Sequence, residues 1–441
     1  MIIRKVFFLL FFLSLQLSAQ DKKWTLQECV DYAVQHNISI QSSELDLSVS
    51  EVEKLEAIGG FLPTLNANAN YSINTGANIN PATNQFENQT FKSFSASANS
   101  SIAIFRGLAN WRNLQRSKMN KIANTYRLDK MKDDIALSVA NSYLQIVFNK
   151  QQLKVLENQN SITKENIQRT KELIAAGVLP AGDIYELEAT NAGEEQQIIA
   201  TQNTLLISKI SLCQTLMLDN YSTFDIVDEE MDVPETFGLE SETPESILVK
   251  AKESVYDLKV ALSNVEVAKK DVSISRSSYL PTLSGFLGYN TRWSESTPFN
   301  FADQLSLFDG TAFGLQLNVP ILNGFSTRGR VQRAKINQEK AEIQLSQAEL
   351  DLERNVYQAY NDVINARKTF EAAQKTVEAR QQAYNFSKER YDVGLMNAFD
   401  FSQSTLALQN AQIDALRNKY EYIFKTKILE FYFGIPLIQN N

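Results

Sequence analysis

From Leu65 the chain alternates one residue at a time: Leu65, Ala67, Ala69, Tyr71 and Ile73 share one face, and Asn66, Asn68, Asn70, Ser72 and Asn74 share the other. Such a period of two predicts a strand with one apolar and one polar side. Phe94, Ala96, Ala98, Ile102 and Ile104 alternate with Ser93, Ser95, Ser97, Asn99 and Ser101 in the same way. Two more strands are predicted where Leu283, Leu287, Tyr289 and Trp293 share a face, and where Phe313, Leu315, Leu317, Val319 and Ile321 share another. The stretches Thr75 to Thr90 and Arg292 to Gly310 are expected to be loops.

Between these segments the period changes. Leu345, Leu352, Val356, Ala359, Val363, Ala366, Phe370, Ala373 and Val377 follow steps of mostly four and three, with no Pro between Phe325 and Val393. That is the seam of a coiled coil. A matching stretch, Gly107 to Ala176, carries Leu128, Ile135, Val139, Ile146, Leu153 and Leu156. About 70 helical residues at ~1.5 Å each extend ~105 Å, several times the thickness of a bilayer's hydrocarbon core. Each long helix is followed, after a turn, by another: Asp183 to Met217 and Asp400 to Phe433.

The pattern occurs twice. Leu62-Pro63-Thr64-Leu65 matches Leu280-Pro281-Thr282-Leu283 at an offset of 218 positions, and Lys171-Glu172, Gly177 and Asp183 match Lys388-Glu389, Gly394 and Asp400 at 217. Ile102, Ile104 and Gly107 likewise match Val319, Ile321 and Gly324. Each half therefore reads helix, strand, loop, strand, very long helix, turn, helix, over residues 21–218 and 243–441, with an acidic, irregular connector at 219–242. Thr25 with Glu28 spells a capping box that opens the first helix, a stretch running to Leu62, and Thr243-Pro244 opens its counterpart.

Residues 1–20 have Arg4 and Lys5, the apolar run Val6 to Leu13, and Ser18-Ala19-Gln20, the plan of a secretory signal peptide. Beyond it no apolar run is long enough to span a bilayer as a helix, so any membrane contact falls to the strands. Aromatics near the ends of ten-residue strands, opposite a face of Asn and Ser, suit a barrel wall with a wet lumen. Four strands cannot close a barrel, and open edges in lipid cost several kcal/mol per unpaired group, so several chains must share one.

The net charge of −8, falling by two to −10 once Arg4 and Lys5 are removed, argues against a nucleic-acid partner. Cys29 and Cys213 are the only cysteines, which excludes a disulfide scaffold and a Cys-rich metal site and leaves their pairing open. No phosphate-cradling, zinc-binding or nucleophile-elbow motif is present, and the lone His36 reads as structural. The sequence implies no enzyme, cofactor or metal site.

The Leu-Pro-Thr-Leu approaches to the strands, the duplicated order of elements, and above all Arg390-Tyr391-Asp392-Val393-Gly394 followed by Asp400 resemble the TolC family of outer-membrane efflux and secretion ducts. The first half echoes that motif with Ala175-Ala176-Gly177-Val178-Leu179 and Asp183. The resemblance implies a mixed α/β membrane protein: a homotrimer with four strands per chain in one twelve-stranded barrel, and antiparallel helices in a coiled-coil tube through the periplasm of a Gram-negative cell. It implies a passive exit duct of a tripartite efflux or type I secretion system, served by a periplasmic adaptor and an inner-membrane pump of the RND or ABC type. By position the helical tips hold Gly177, Val178 and Leu179, and Gly394, Leu395 and Met396, as candidate adaptor contacts. Asp183 and Asp400, with Glu186 and Gln403, are candidates for the periplasmic constriction. The same four residues spell N-caps, Asp followed three positions later by Glu or Gln, which explains them equally well. The family's better-known lock uses an Arg shortly after the Gly and a second Asp. Here Leu395, Met396 and Gln403 stand in those places, so that lock is not expected. A secreted coiled-coil scaffold or adhesin is the competing reading.

Overall fold

The computed structural model describes residues 23–79, 84–227 and 242–435. The expected signal peptide lies outside the described residues, as do the central part of the connector and the tip of the first strand hairpin. The element order repeats. In the first half come β1 (Lys23–Trp24), α1 (Leu26–His36), α2 (Ile38–Gly59), β2 (Thr64–Ile79), β3 (Phe86–Arg106), α3 (Ala109–Ala175) and α4 (Asp183–Leu216). After β4 (Asp225–Ile226), the second half runs α5 (Pro244–Ser254), α6 (Tyr256–Ser277), β5 (Thr282–Ser294), α7 (Phe301–Leu307), β6 (Gly310–Asn318), α8 (Ser326–Asp392) and α9 (Ala398–Tyr432). Both long helices, α3 and α8, have 67 residues. No helix among the described residues is long and apolar enough to cross a membrane.

Local chemistry explains the repeated joints. Thr25 and Glu28 form the predicted capping box, with Glu28 N donating to Thr25 Oγ1 (3.2 Å) and Thr25 N to Glu28 Oε2 (3.0 Å). The expected single helix after it is in fact two, of 11 and 22 residues, and its counterpart breaks into the same lengths. The break falls at Asn37, whose backbone is extended and whose Oδ1 accepts from Ser39 N (2.9 Å), so this residue ends one helix and caps the next. Val255 takes the same extended conformation in the second half. At both passages from strand to long helix two consecutive residues are left-handed: Gly107 and Leu108, then Gly324 and Phe325. At Gly107 the glycine is obligatory, since a Cβ would lie 2.5 Å from Ser277 O.

Two compact units cut across the repeat. The helical unit comprises residues 1–44, 128–258 and 349–441. Its core joins Cys29, Val30 and Ala33 to Val139, Ile146, Leu212, Cys213, Leu216, Ile226 and Ile423. Both cysteines are buried free thiols, which answers the open question of their pairing. On α8 the predicted seam is buried at Leu352, Val356, Ala359, Val363 and Phe370. The connector is not wholly irregular, because β4 pairs in parallel with β1, and Lys150 and Lys209 both hold Asp225 at 2.8 Å.

The second unit, residues 45–127 and 259–348, carries a four-stranded antiparallel sheet in the order β2-β3-β5-β6. The faces are as predicted: Leu65, Ala67, Ala69 and Tyr71 stand across from Ser100, Ala98, Ala96 and Phe94, and those from Leu287, Tyr289, Thr291 and Trp293. Three details differ. The stretch 75–90 is largely strand, with pairing to Ile79 and Phe86. The expected loop 292–310 contains α7. Val319 and Ile321 lie beyond the last strand, which stops at Asn318 ahead of Pro320, a residue with no N–H for the ladder.

Candidate functional site at the helical tips

Each long helix ends in the same way. Gly177 has φ +76° and Gly394 φ +75°. Val178 N donates to Leu173 O (2.9 Å) and Gly177 N to Ile174 O (3.0 Å), while Leu395 N donates to Arg390 O (2.9 Å) and Gly394 N to Tyr391 O (3.0 Å). This paired closure needs a left-handed residue, which glycine adopts without strain.

The returning helices begin differently. Neither aspartate is an N-cap, contrary to one expectation. The cap of α9 is Asn397, whose Oδ1 accepts from Asp400 N (2.8 Å) and whose Nδ2 donates to Asp400 Oδ2 (3.0 Å). Asp400 thus sits three residues inside the cap, exposed, and Gln403 is exposed as well. At the first tip the cap position is Gly182, which offers no side-chain bond, so Asp183 becomes the first helical residue. Its Oδ2 is buried without a hydrogen-bond partner among the described residues. A buried carboxylate oxygen left unpaired is costly, and the positive end of α4 offsets only part of that cost.

The two tips are brought together mainly by residues outside the candidate set, joined by the candidates Leu179, Met396 and Glu186. Phe401, fully buried, lies between Tyr391 and Tyr384, with ring centroids 4.6 Å and 5.9 Å away. Leu179, Leu187, Ala398 and Leu408 complete this cluster, with Met396 packed against it. Tyr391 Oη and Thr170 Oγ1 are 2.8 Å apart and buried. Arg169 Nε meets Asp392 Oδ1 at 3.3 Å, and Ser402 Oγ reaches Glu186 Oε1 at 3.5 Å. Gly394 also matters for space, since a Cβ there would lie 3.1 Å from Val178 Cγ1. Burial pushes the Tyr391 hydroxyl above its ordinary range; the Thr170 bond works against that, while Asp183 and Asp392 add to it. Val178 and Leu395 remain exposed at the surface of the tips.

Above the tips the seam turns polar. After Leu156 the buried positions of α3 are Gln159, Asn160, Thr163, Asn166 and Thr170. Two of them, Asn160 and Thr163, hold Glu194 of α4, which is 2% exposed and accepts from Thr163 Oγ1 (2.9 Å) and Asn160 Nδ2 (3.2 Å). Burial raises its carboxyl pKa; these two hydrogen bonds and Lys164 lower it by less. Among the described residues no group of three or more His, Cys, Asp or Glu could hold a metal ion.

The sequence profile described as "Outer membrane efflux protein" matches residues 30–216 and 247–432. The outer membrane protein TolC of Vibrio cholerae serotype O1 is 22% identical over 277 residues, which is 62% of this chain and 60% of that protein. The proteases secretion protein PrtF of Dickeya chrysanthemi is 22% identical over 318 residues, 70% of this chain and 66% of that one. The aligned stretch thus spans slightly less than two thirds of each of these relatives. Among solved structures, the outer membrane protein VceC of Vibrio cholerae superposes with a TM-score of 0.77 at 15% identity, covering 93% of this chain and 96% of that one. The CmeC outer membrane channel of Campylobacter jejuni gives the same TM-score at 18% identity, covering 93% and 85%.

Proposed function

The chain belongs to the outer membrane efflux protein family, and on that premise we propose that it is a passive exit duct, one third of a homotrimer that supplies four strands per chain to a single barrel. The family is one of outer-membrane transport proteins, not of enzymes. The observation that carries the duct reading is the sheet. It is open at β2 and β6, and its apolar face is uncovered along β6, with Phe313 81% and Leu315 69% exposed. Unpaired edges and an uncovered apolar face together call for neighbouring strands at the sides and lipid across the front. The opposite face, rich in Asn and Ser, suits an aqueous lumen.

Residues 21–218 and 243–441 are then two copies of one building unit, each giving two strands to the barrel and a long helical hairpin to the periplasmic tube. The two tips form the inner end of the duct. Asp183 and Asp400, with Glu186 and Gln403, line or border the constriction; Gly177, Val178, Gly394, Leu395 and Met396 form the surface that meets the hairpin of a periplasmic adaptor, with the expected contact Leu179 instead buried behind it in the aromatic cluster, and an inner-membrane pump of the RND or ABC type supplies the drive. Exposed Val178 and Leu395 beside glycine give a helical partner an apolar, closely approachable surface. Carboxylates repeated by the threefold axis attract cations to the opening. In planar bilayers Asp183→Asn with Asp400→Asn is expected to lower cation preference and block by multivalent cations; unchanged selectivity removes these residues from the pore. Cell fractionation tests the reading as a whole. The mature chain is expected in the outer-membrane fraction and extracted only by detergent, and recovery in the aqueous periplasm would favour the scaffold or adhesin reading.

A further inference from the structure

The apolar face of the sheet has a measurable height. On β5 it runs from Leu283 through Leu287 and Tyr289 to Trp293, ten residue steps along one strand. At ~3.3 Å per residue that is ~33 Å along the strand, or ~25 Å across a barrel wall with strands tilted by about 40°. This is the height of a transmembrane apolar band. The next rung is charged: Lys92 Nζ and Glu295 Oε1 are paired at 3.2 Å.

Helix α7 lies on the apolar face at the last rungs below that ion pair. Phe301 packs on Phe94 (5.5 Å between ring centroids) and on Trp293 (5.6 Å). Thr291 Oγ1 donates to Leu305 O (2.7 Å). Gln304, fully buried, pins the segment. Its Nε2 donates to Ser294 O (3.0 Å), Thr297 O (3.3 Å) and Phe299 O (2.6 Å), and its Oε1 accepts from Ser294 N (2.9 Å). A side-chain amide satisfied this fully fixes one conformation. The helix covers β3 and β5, the two central strands, whereas neighbouring chains must join at β2 and β6. A second copy is therefore not what meets its outer surface, which nonetheless exposes Phe299, Phe301 and Leu307.

We propose that Phe301–Leu307 is a membrane-interface helix, docked on the lipid face of the barrel at its outer rim and bedding Phe299, Phe301 and Leu307 at the boundary between acyl chains and headgroups of outer-leaflet lipid. This rests on the reading of the sheet as a barrel wall in lipid. Aromatic and apolar groups with a polar neighbour such as Asp303 are what that boundary favours.

The test is spin labelling of the full chain in vesicles of phosphatidylethanolamine and lipopolysaccharide. The native thiols are buried, and burial pushes Cys213 up to about 11, so labels go to introduced cysteines. Leu307→Cys is the reporter, Phe299→Cys a second reporter should the first disturb folding, Leu315→Cys the control within the apolar band and Thr75→Cys the aqueous control. At position 307 collisions with oxygen are expected to exceed those with a water-soluble nickel chelate several-fold, between the two controls. A label at 307 that behaves as at 75, or one shielded from both reagents, overturns the inference while leaving the barrel intact. A label at 315 that meets the nickel chelate freely instead overturns the barrel reading itself.

Discussion

The first tip and the second come from the same repeat and are finished in different ways. Both long helices have 67 residues and end on a left-handed glycine. The second tip is then locally complete: Asn397 caps α9, and Asp400 returns the bond. The first has Gly182 in place of a capping side chain and leaves Asp183 Oδ2 buried without a partner among the described residues. Both close on their own backbone hydrogen bonds, but only the second adds a side-chain cap, while the first relies more on its neighbour, through Leu179 and Leu187 in the shared aromatic cluster and through Thr170 on Tyr391. Duplication thus set the lengths, and divergence at a few positions set which tip depends on which.

The largest effect is expected where that dependence is concentrated. Phe401→Ala empties the space between Tyr384 and Tyr391, and a loss of ~3–5 kcal/mol is expected in denaturant unfolding of the helical unit, with the first tip becoming the more susceptible to proteolysis. Equal susceptibility of both tips would show that they are alike after all. Next comes the cap. Asn397→Ala is expected to cost ~1 kcal/mol, while Gly182→Ala, at an ordinary φ of −71°, changes stability by only a few tenths.

Glu194 sharpens the comparison through pH, since it belongs to the first hairpin alone. Its pKa in the folded chain is raised, chiefly by burial, so the folded state holds a proton that the unfolded chain releases at lower pH. Its contribution is fully present below the unfolded carboxyl pKa and is lost as pH rises through the higher folded value. Melting curves of Glu194→Gln should therefore match the wild type in acid and lie above it at neutral pH, and a constant difference at all pH values would contradict this. A small effect is also expected at Arg169, half-exposed opposite Asp392, where Arg169→Gln should cost at most ~1 kcal/mol and nothing measurable at high salt.

Most of the architecture could be read from the chain because it rests on period. Alternation gave the four strands their faces, and the heptad steps on α8 fell on buried residues such as Val356 and Val363. What failed to show depends on single residues working against a period. Asn37 breaks a helix whose apolar pattern runs on, and α7 is too short to display a period at all. In the first seam the apolar steps stop at Leu156, and the buried Asn160, Thr163 and Thr170 that continue it look like surface until their partners are brought across, Glu194 of α4 for the first two and Tyr391 of α8 for the third. At the tips the glycines were legible, as was the motif containing Tyr391. The cap was misplaced because Asp400 fits the capping pattern nearly as well as Asn397 three residues before it. Phe401 carries no signal of its own, because an aromatic at the first turn of a helix acquires its role only from the tyrosines it meets.

Single-channel recording on the purified full chain in planar bilayers bears most directly on the reading of four strands per chain as a share of one lipid-embedded duct. Discrete, ohmic conductance steps are expected from detergent-extracted oligomer with no energy source present, and their complete absence from folded, bilayer-inserted protein would contradict it.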